Sequence, residues 1–274
     1  MEKMSIHDIQ TVSLELLKDL HDFCVSKNIR YSLAYGTLIG AIRHKGFIPW
    51  DEDVDIWMPR PDYERFIDTY QSSENILKTS YKDNRNFLDF ARLYEIKKTS
   101  VHGALTDNIQ PTGVWIDIFP IDAVSDNEEI RSKEYQGIKK IWWNIRELRR
   151  LYTKKNRNKS IKARIHYTYR TIRYGKLFSL IEKSNSLCAK YSFGETAYCA
   201  SLMCRDAFWK NKIEIFPTFW FQDFTLTEFE GKSFYVANHY DDILKSIYGN
   251  YMKLPPEEQR VPKQDDHEFL WIDK

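Results

Sequence analysis

The chain has 274 residues, of which 42% are hydrophobic and 29% are charged, and its formal net charge is +2. This composition is typical of a soluble globular protein, and no uncharged apolar run is long enough to span a membrane. Because the first residues also lack an apolar signal-peptide segment, we expect a cytoplasmic protein. The cysteines, at positions 24, 188, 199 and 204, lack C-x-x-C spacing, and no nearby histidine completes a zinc quartet, so reduced structural thiols are expected.

The first quarter of the chain alternates helical and strand patterns. Apolar residues return at helical spacing over residues 5–27. Ser5 is a suitable N-cap with Asp8 three residues on, and Asn28 can end the helix in the left-handed region. The elements predicted next are a strand over 31–35, a helix over 37–44, a strand over 54–58 and a helix over 62–70.

The remainder changes from strands to helices and back. Strands come early and helices late, which favours an α/β or α+β fold: a mixed sheet flanked by helices, with a mostly helical basic insertion. We predict a core over residues 1–125, a helical basic region over 126–215, and a C-terminal part over 216–274 that completes the core. The predicted elements are strands over 90–99 and 113–119, the second stopped by Pro120, helices from 127 to 191, strands over 216–227 and 233–236, and a helix over 240–248.

Positive charge is concentrated in one segment. Residues 131–176 contain 16 Lys and Arg but only Glu134 and Glu147, a net charge of +14, so the rest of the chain carries −12. Apolar residues recur at helical spacing from Ile138 to Tyr152. Such a helix fits the surface of an anionic membrane, but a solvated basic face with its apolar stripe docked on the core is an equal alternative. No nucleic-acid motif accompanies the charge, so binding to nucleic acid is not expected.

Alternating acids precede and enter the strand predicted over residues 54–58. In an extended segment Asp51, Asp53 and Asp55 point the same way, because alternate residues share a face. Trp57 would lie on that face too. Like charges at this spacing repel one another unless a cation lies between them. Carboxylate ligands favour Mg²⁺ or Mn²⁺ over zinc, so the segment predicts a site for one of these ions.

A second acidic position lies on the apolar strand predicted over residues 113–119. Asp117 shares a face with Trp115 there, and a lone carboxylate on such a strand is costly unless it is paired. We therefore expect Asp117 to be a third ligand of the same ion. Asp122 is a weaker candidate, and a turn or cap aspartate explains it better.

Gly36 and Thr37 mark the predicted turn from the first strand into a helix. Glycine lets the backbone approach a ligand closely, and a helix N-terminus offers N–H groups and a positive dipole end to a phosphate. The Thr37 hydroxyl can add a hydrogen bond. Gly-Thr turns before helices are common, so this turn alone is a weak indication of a phosphate site. It becomes informative because it precedes the acidic segment.

This order of features resembles the polymerase-β-type nucleotidyltransferases. Within that superfamily, residues 35–56 strongly resemble the signature of the LicD family, which includes the fukutin-related phosphotransferases. Two further blocks, 113–120 and 248–256, resemble its second and C-terminal motifs. The resemblance spans most of the chain, roughly residues 5–260, while residues 125–215 contain no motif that we can match.

The resemblance implies transfer of a phosphorylated alcohol from a CDP-activated donor to a sugar hydroxyl, with release of CMP. In bacterial members the donor is typically CDP-choline, and the acceptor is a teichoic acid or another surface-glycan precursor. A lipid-linked acceptor would place the protein at the inner face of the membrane. Mg²⁺ or Mn²⁺ held by Asp53, Asp55 and Asp117 would stabilise the leaving CMP. Asp51 is expected to be a second-metal ligand or the base toward the acceptor hydroxyl.

Several basic and aromatic residues near the acids are candidate substrate contacts. Basic side chains neutralise phosphate oxygens, and aromatic rings can hold a quaternary ammonium group. For each basic residue an ion-paired surface position is equally open, and for each tryptophan packing in the core is the alternative. His44 is expected to be a polar turn residue. The candidates are Arg43, Lys45, Arg92, Trp50, Trp57 and Trp115.

Two other functions stay open at this stage. Motifs do not fix the shape of the donor pocket, so transfer of ribitol phosphate, glycerol phosphate or a whole nucleotide is one alternative. A non-catalytic glycan- or membrane-binding protein is the other. The presence of all the acids expected to bind the ion argues against a non-catalytic protein.

Overall fold

A computed structural model of the protein describes residues 1–73, 75–78, 88–103, 112–157, 160–203, 214–262 and 267–272. Its helices are α1 (Ile6–Lys27), α2 (Tyr35–Arg43), α3 (Arg60–Thr69), α4 (Glu128–Arg157), α5 (Ile161–Tyr174), α6 (Leu177–Cys188) and α7 (Tyr240–Tyr248). Its strands are β1 (Glu2–Lys3), β2 (Ser32–Leu33), β3 (Asp55–Pro59), β4 (Asn75–Lys78), β5 (Ala91–Glu95), β6 (Thr99–Gly103), β7 (Trp115–Val124), β8 (Tyr198–Ala200), β9 (Ile215–Pro217), β10 (Phe224–Phe229), β11 (Lys232–Ala237) and β12 (His267–Trp271).

A central mixed sheet has the strand order β2-β3-β7-β5-β4. Strands β3 and β7 are parallel, and the other neighbours in this order are antiparallel. The second half of β7 pairs with β8, which in turn pairs with β9. A small sheet of order β1-β12-β6 and the hairpin β10–β11 complete the β-structure described. The predicted fold class, a mixed sheet flanked by helices, is confirmed.

Helix α1 begins and ends as its sequence predicts. Ser5 and Asp8 form a reciprocal capping box, in which the Ser5 hydroxyl accepts from the Asp8 N–H at 3.1 Å and the Asp8 carboxylate accepts from the Ser5 N–H at 2.9 Å. Asn28 ends the helix with a left-handed φ of 52°. The buried stripe of α1, which includes Leu16 and Leu20, packs against β5 and β7.

The strand predicted over residues 90–99 is two strands, β5 and β6. The Glu95 carboxylate accepts hydrogen bonds from the backbone N–H groups of Lys97, Lys98 and Thr99, at 2.8, 2.9 and 2.8 Å. These bonds stabilise a turn that interrupts the extended pattern. The residue types over 90–99 predicted an extended conformation, but they did not predict a turn stabilised by the Glu95 carboxylate.

Strand β7 does not stop at Pro120, as the sequence predicts, but continues to Val124. Its pairing with β5 ends at Ile118, so on that side Pro120 has no ladder bond to lose. Asp122 is therefore a strand residue and not a turn or cap aspartate. It is fully buried and accepts two hydrogen bonds, at 2.6 and 2.9 Å, from Arg60 at the start of α3.

Helices α4, α5 and α6 occupy the predicted helical stretch. The first half of α4 packs on the main core through Ile138 and Trp142, both 3% exposed. Its second half forms a separate apolar cluster with α6, in which Ile145 and Leu148 are fully buried. The apolar stripe predicted on this segment is thus docked inside the protein, except for Tyr152, whose side chain lies outside the described residues.

The described cysteines and helices agree with the expectations from composition. Cys24, Cys188 and Cys199 are buried free thiols, and burial raises the pKa of each. Cys204 lies outside the described residues. Among the helices that the structure describes, none has both the length and the apolarity needed to cross a bilayer.

Candidate active site

Asp55 and Asp117 face each other across the parallel strands β3 and β7. The Asp117 N–H donates to the Val54 carbonyl at 2.9 Å, which fixes the two strand beginnings side by side. Both acids are half-buried, whereas the next residues, Ile56 and Ile118, are fully buried. Opposed residues of adjacent strands project to the same side of a sheet, so the two carboxylates form one acidic edge.

Asp51 and Asp53 belong to the loop before β3, and not to an extended strand as the sequence predicts. Strand β3 begins only at Asp55, so the alternation argument does not apply to the two earlier acids. Trp57, placed by that argument beside the acids, is fully buried. Its ring contacts that of Tyr35 at a centroid distance of 4.6 Å, so Trp57 is a core residue and not a substrate contact.

The start of α2 holds two of these acids in place. The Thr37 hydroxyl accepts a hydrogen bond from the Asp55 N–H at 3.0 Å. A Cβ atom on Gly36 would lie 2.3 Å from Oδ2 of Asp51, so the Asp51 carboxylate rests directly against the glycine backbone. Glycine is required here for close approach, and the Asp51 charge lies at the positive end of a helix.

Gln10 on α1 fixes the acidic loop from the other side. Its amide nitrogen donates to the Asp51 carbonyl at 2.8 Å and to the Ile48 carbonyl at 3.5 Å. The Asp51 N–H also donates to the Ile48 carbonyl, at 2.9 Å, which closes a turn. Sequence reasoning missed Gln10, because a half-buried glutamine on an amphipathic helix has no pattern that indicates this role.

Arg92 forms a bidentate ion pair with Asp117 from the neighbouring strand β5. Nε of Arg92 donates to Oδ1 of Asp117, and a terminal nitrogen donates to Oδ2 at 3.0 Å. Burial lowers the pKa of Arg92, but Asp117 and Tyr94 outweigh that effect and raise the pKa above its usual range. The guanidinium also lies 4.3 Å from the ring centroid of Trp115. Trp115 therefore supports the Arg92 cation in this structure.

The other candidate contacts have different surroundings. Arg43 donates to the Tyr251 carbonyl at 2.5 Å, so it links α2 to the block that resembles the C-terminal LicD motif. Lys45 is exposed and lies in a left-handed turn with φ of 60°. Trp50 is half-buried, directly before Asp51, with its ring edge-on to His44 at 6.4 Å. Burial, assisted by Arg43, lowers the pKa of His44.

A contact between Tyr35 and Glu214 joins the end of the 126–215 region to the site. The Tyr35 hydroxyl donates to Oε2 of Glu214 at 3.2 Å. Tyr35 has a left-handed φ of 45° directly before Gly36, and its ring packs on Trp57 and Phe119. Glu214 is 178 residues from Gly36 in the sequence, so no local motif could have indicated this contact.

The acids fit a hard divalent cation by donor chemistry. Carboxylate oxygens are the ligands that Mg²⁺ and Mn²⁺ prefer, and Asp55 and Asp117 present them from adjacent strands. Within the described ranges, no three His, Cys, Asp or Glu side chains are already grouped as a metal site. The Asp117 oxygens bond Arg92 instead, so an ion would have to share or displace that pair.

Comparison with known proteins agrees with the LicD resemblance of the sequence. Residues 28–151 match the family model described as LicD/FKTN/FKRP, nucleotidyltransferase domain. The chain is 30% identical over 275 residues to the lipopolysaccharide cholinephosphotransferase LicD of Haemophilus influenzae, covering 98% of this chain and 100% of that protein. Shorter similarities reach uncharacterized proteins of Rickettsia typhi, 39% identical over 67 residues, and Rickettsia prowazekii, 41% over 63 residues. The Rickettsia matches cover 24% and 23% of this chain and 22% and 24% of those proteins. The match along the full length of the Haemophilus protein shows that the chain belongs to the LicD family.

Proposed function

We propose that the protein transfers phosphocholine from CDP-choline to a hydroxyl group of a cell-surface glycan precursor and releases CMP. The observation that carries this proposal is the acidic edge of Asp55 and Asp117, positioned beside the N-terminus of α2. The Haemophilus relative, a lipopolysaccharide cholinephosphotransferase, supports the choline donor and the glycan acceptor. A teichoic acid precursor has the same acceptor chemistry.

The transfer forms one P–O bond and breaks another. The acceptor oxygen attacks the β-phosphorus of the donor, the bond from that phosphorus to the bridging oxygen breaks, and CMP leaves with the bonding electrons. The proton of the acceptor hydroxyl must go to a base. We assign that role to Asp51, because its carboxylate rests against the Gly36 backbone beside the helix N-terminus, and Gln10 fixes the Asp51 backbone through its carbonyl.

Charge neutralisation comes from several parts of the chain. The first turn of α2 directs backbone N–H groups and a positive dipole end toward the donor phosphates. Arg92 provides a permanent cation at the acidic edge, and Lys45 provides an exposed one near the loop. Asp53, Asp55 and Asp117 would hold Mg²⁺ or Mn²⁺, which when bound supplies Lewis-acid stabilisation of the pyrophosphate oxygens.

Trp50 is the aromatic residue best placed for the choline group. It is half-buried beside Asp51, whereas Trp57 is enclosed in the core and the ring of Trp115 already faces Arg92. A quaternary ammonium over the Trp50 ring would gain a cation–π attraction. The alternative donors CDP-ribitol and CDP-glycerol carry no such cation, so Trp50→Leu should weaken use of CDP-choline more than theirs.

The test is a CMP-release assay with CDP-choline, a glycan acceptor and Mg²⁺ or Mn²⁺. We expect release that stops with EDTA and is lost in Asp55→Asn and Asp117→Asn. The matched control is Asp68→Asn, an acid exposed on α3, which should keep full activity. Faster turnover of CDP-ribitol than of CDP-choline would overturn the choline assignment. If calorimetry detects binding of neither Mg²⁺ nor any of the CDP-alcohols, the result favours a non-catalytic glycan- or membrane-binding protein.

A further inference from the structure

Helix α5 exposes a continuous apolar stripe on its outer side. Ile161, Ile165, Tyr169 and Ile172 are 73%, 65%, 59% and 81% exposed. Their spacing of four, four and three residues places them within about 80° of one another around the helix axis. Single exposed apolar residues are ordinary on a protein surface, whereas an aligned set of this size marks an interaction surface.

The opposite side of α5 is packed, so the direction of this stripe is fixed. Ala163 is buried, and Tyr167 packs on the apolar cluster shared by α4 and α6. Arg170 donates a hydrogen bond to Oδ1 of Asn144 on α4 at 2.7 Å. These contacts hold the helix to α4, and the apolar stripe points away from the rest of the protein.

Positive charge flanks the stripe on both sides. Lys162 and Arg173 border one edge, and Arg164 borders the other, all three exposed. Residues 148–181, which include α5, contain 11 Lys and Arg and no Asp or Glu. The helix therefore presents an apolar centre with a uniformly basic margin.

We infer that the outer face of α5 binds the protein to an anionic lipid surface, lying parallel to the bilayer plane. Such a surface offers an apolar interior to the isoleucines and negative headgroups to the basic margin. Two other partners fit this face less well. A second copy of the chain would bring two basic margins together, and these would repel each other. Nucleic acid offers no apolar surface for Ile161, Ile165 and Ile172. The apolar stripe of α4 cannot be the membrane-binding surface, because it is buried. This binding is independent of the proposed reaction.

The experiment is sedimentation of the purified protein with mixed phosphatidylglycerol–phosphatidylcholine vesicles, or with phosphatidylcholine vesicles alone, in the absence of substrates. We expect binding to the anionic vesicles, reduced at least tenfold in the triple variant I161S/I165S/I172S. The neutralised variant K162Q/R164Q/R173Q should lose about fivefold per residue on anionic vesicles only. As a matched control, V25S/L226S removes two apolar side chains of similar exposure, 53% and 52%, and should bind normally.

Further measurements distinguish lipid binding by α5 from dimerisation and from binding to nucleic acid. A Tyr169→Trp reporter should shift its emission to the blue when anionic vesicles are added. Equal vesicle binding by the wild-type protein and the isoleucine variant would overturn the inference. So would a wild-type dimer that the isoleucine variant converts to monomer, or binding to duplex DNA that the isoleucine variant keeps while vesicle binding is absent. CMP release with a water-soluble acceptor should be unchanged in the isoleucine variant, so failure of the proposed reaction and failure of lipid binding are distinguishable.

Discussion

At the scale of single residues, the acidic edge depends on how closely its neighbours approach. Asp51 rests against a glycine backbone, Asp55 is bonded to Thr37, and Asp117 is held by Arg92. Each acid thus has a different positioning partner. The sequence indicated the acids and the glycine by their pattern, but the partner of Asp117 follows from the strand register, and those of Asp51 and Asp55 follow from the place where α2 begins.

Replacement of Gly36 by alanine should displace the Asp51 carboxylate. The new Cβ would lie 2.3 Å from Oδ2 of Asp51, so the acid must move. Because the displaced Asp51 can no longer act as the base, we expect CMP release to fall at least tenfold. Alanine is about 0.5–1 kcal/mol more favourable than glycine within a helix, which offsets the strain, so thermal stability should change little.

The matched control for this substitution is Gly137→Ala in α4, where an added Cβ meets nothing within 4 Å. That variant should gain stability and keep its activity. If Gly36→Ala retains wild-type CMP release, Asp51 does not act from the position in which the structure places it.

Replacement of Arg92 by methionine should show how the cation and a metal ion compete for Asp117. Both side chains are largely buried, at 13% and 15% exposure, so loss of the arginine leaves an uncompensated carboxylate and costs about 3 kcal/mol. Urea unfolding in EDTA measures this loss. Millimolar Mg²⁺ should recover part of it in the variant, whereas equal losses with and without Mg²⁺ would argue against a cation at Asp117.

At the scale of elements, the positions where strands and helices begin determine the site. Helix α2 begins at Tyr35, two residues earlier than its pattern indicates, and β3 begins at Asp55, one residue later. With these beginnings the Thr37 hydroxyl lies next to the Asp55 backbone. Periodicity predicts the existence and type of an element well, but its ends depend on contacts such as the bond from Gln10 to the Asp51 carbonyl.

Substitution of Thr37 by valine tests the link between α2 and β3. Valine keeps the shape of threonine but leaves the half-buried N–H of Asp55 without its acceptor, which costs about 1–3 kcal/mol. We expect lower stability and a lower turnover rate, because Asp55 loses its anchor. Thr37→Ser retains the hydroxyl and should behave much like the wild-type protein. Equal stability of the valine and serine variants would show that the bond has no net effect.

At the scale of the whole molecule, the buried apolar side chains of the described residues form two clusters, which α4 joins. The mixed sheet and its flanking helices were predictable, because the hydrophobic patterns of β3 and β7 and the order of elements indicate them. The direction of the α4 stripe was not, because a basic amphipathic helix has the same pattern on a membrane as against a core. The burial of apolar side chains along α4, such as Ile145 and Leu148, distinguishes the two.

A histidine that connects distant parts of the molecule should make the protein sensitive to acid. His21 on α1 bonds the Tyr31 hydroxyl at 2.7 Å and packs on Phe234 and Tyr235 of β11. Burial lowers the pKa of His21, against a smaller opposing effect of Asp22. The unfolded chain therefore binds this proton more readily, so stability should fall as the pH falls through the ordinary histidine value of about 6.5.

Thermal unfolding between pH 8 and pH 5 measures this dependence. His21→Gln should flatten the decline, while His7→Gln, which removes an exposed histidine at the start of α1, should leave the decline unchanged. An identical pH profile for His21→Gln and the wild-type protein would exclude His21 as the source.

Strand β12, the last strand described, lies between β1 and β6. Among the residues that the structure describes, the strands of residues 2–3 and 99–103 form no ladder with each other, and residues 267–271 join them. During synthesis on a ribosome, the backbone groups of β1 and β6 that pair with β12 cannot form their ladders until β12 has left the exit tunnel. The small sheet consequently forms only after residues 267–271 have been synthesised, and a chain shortened before residue 267 would leave two strand edges available to other molecules.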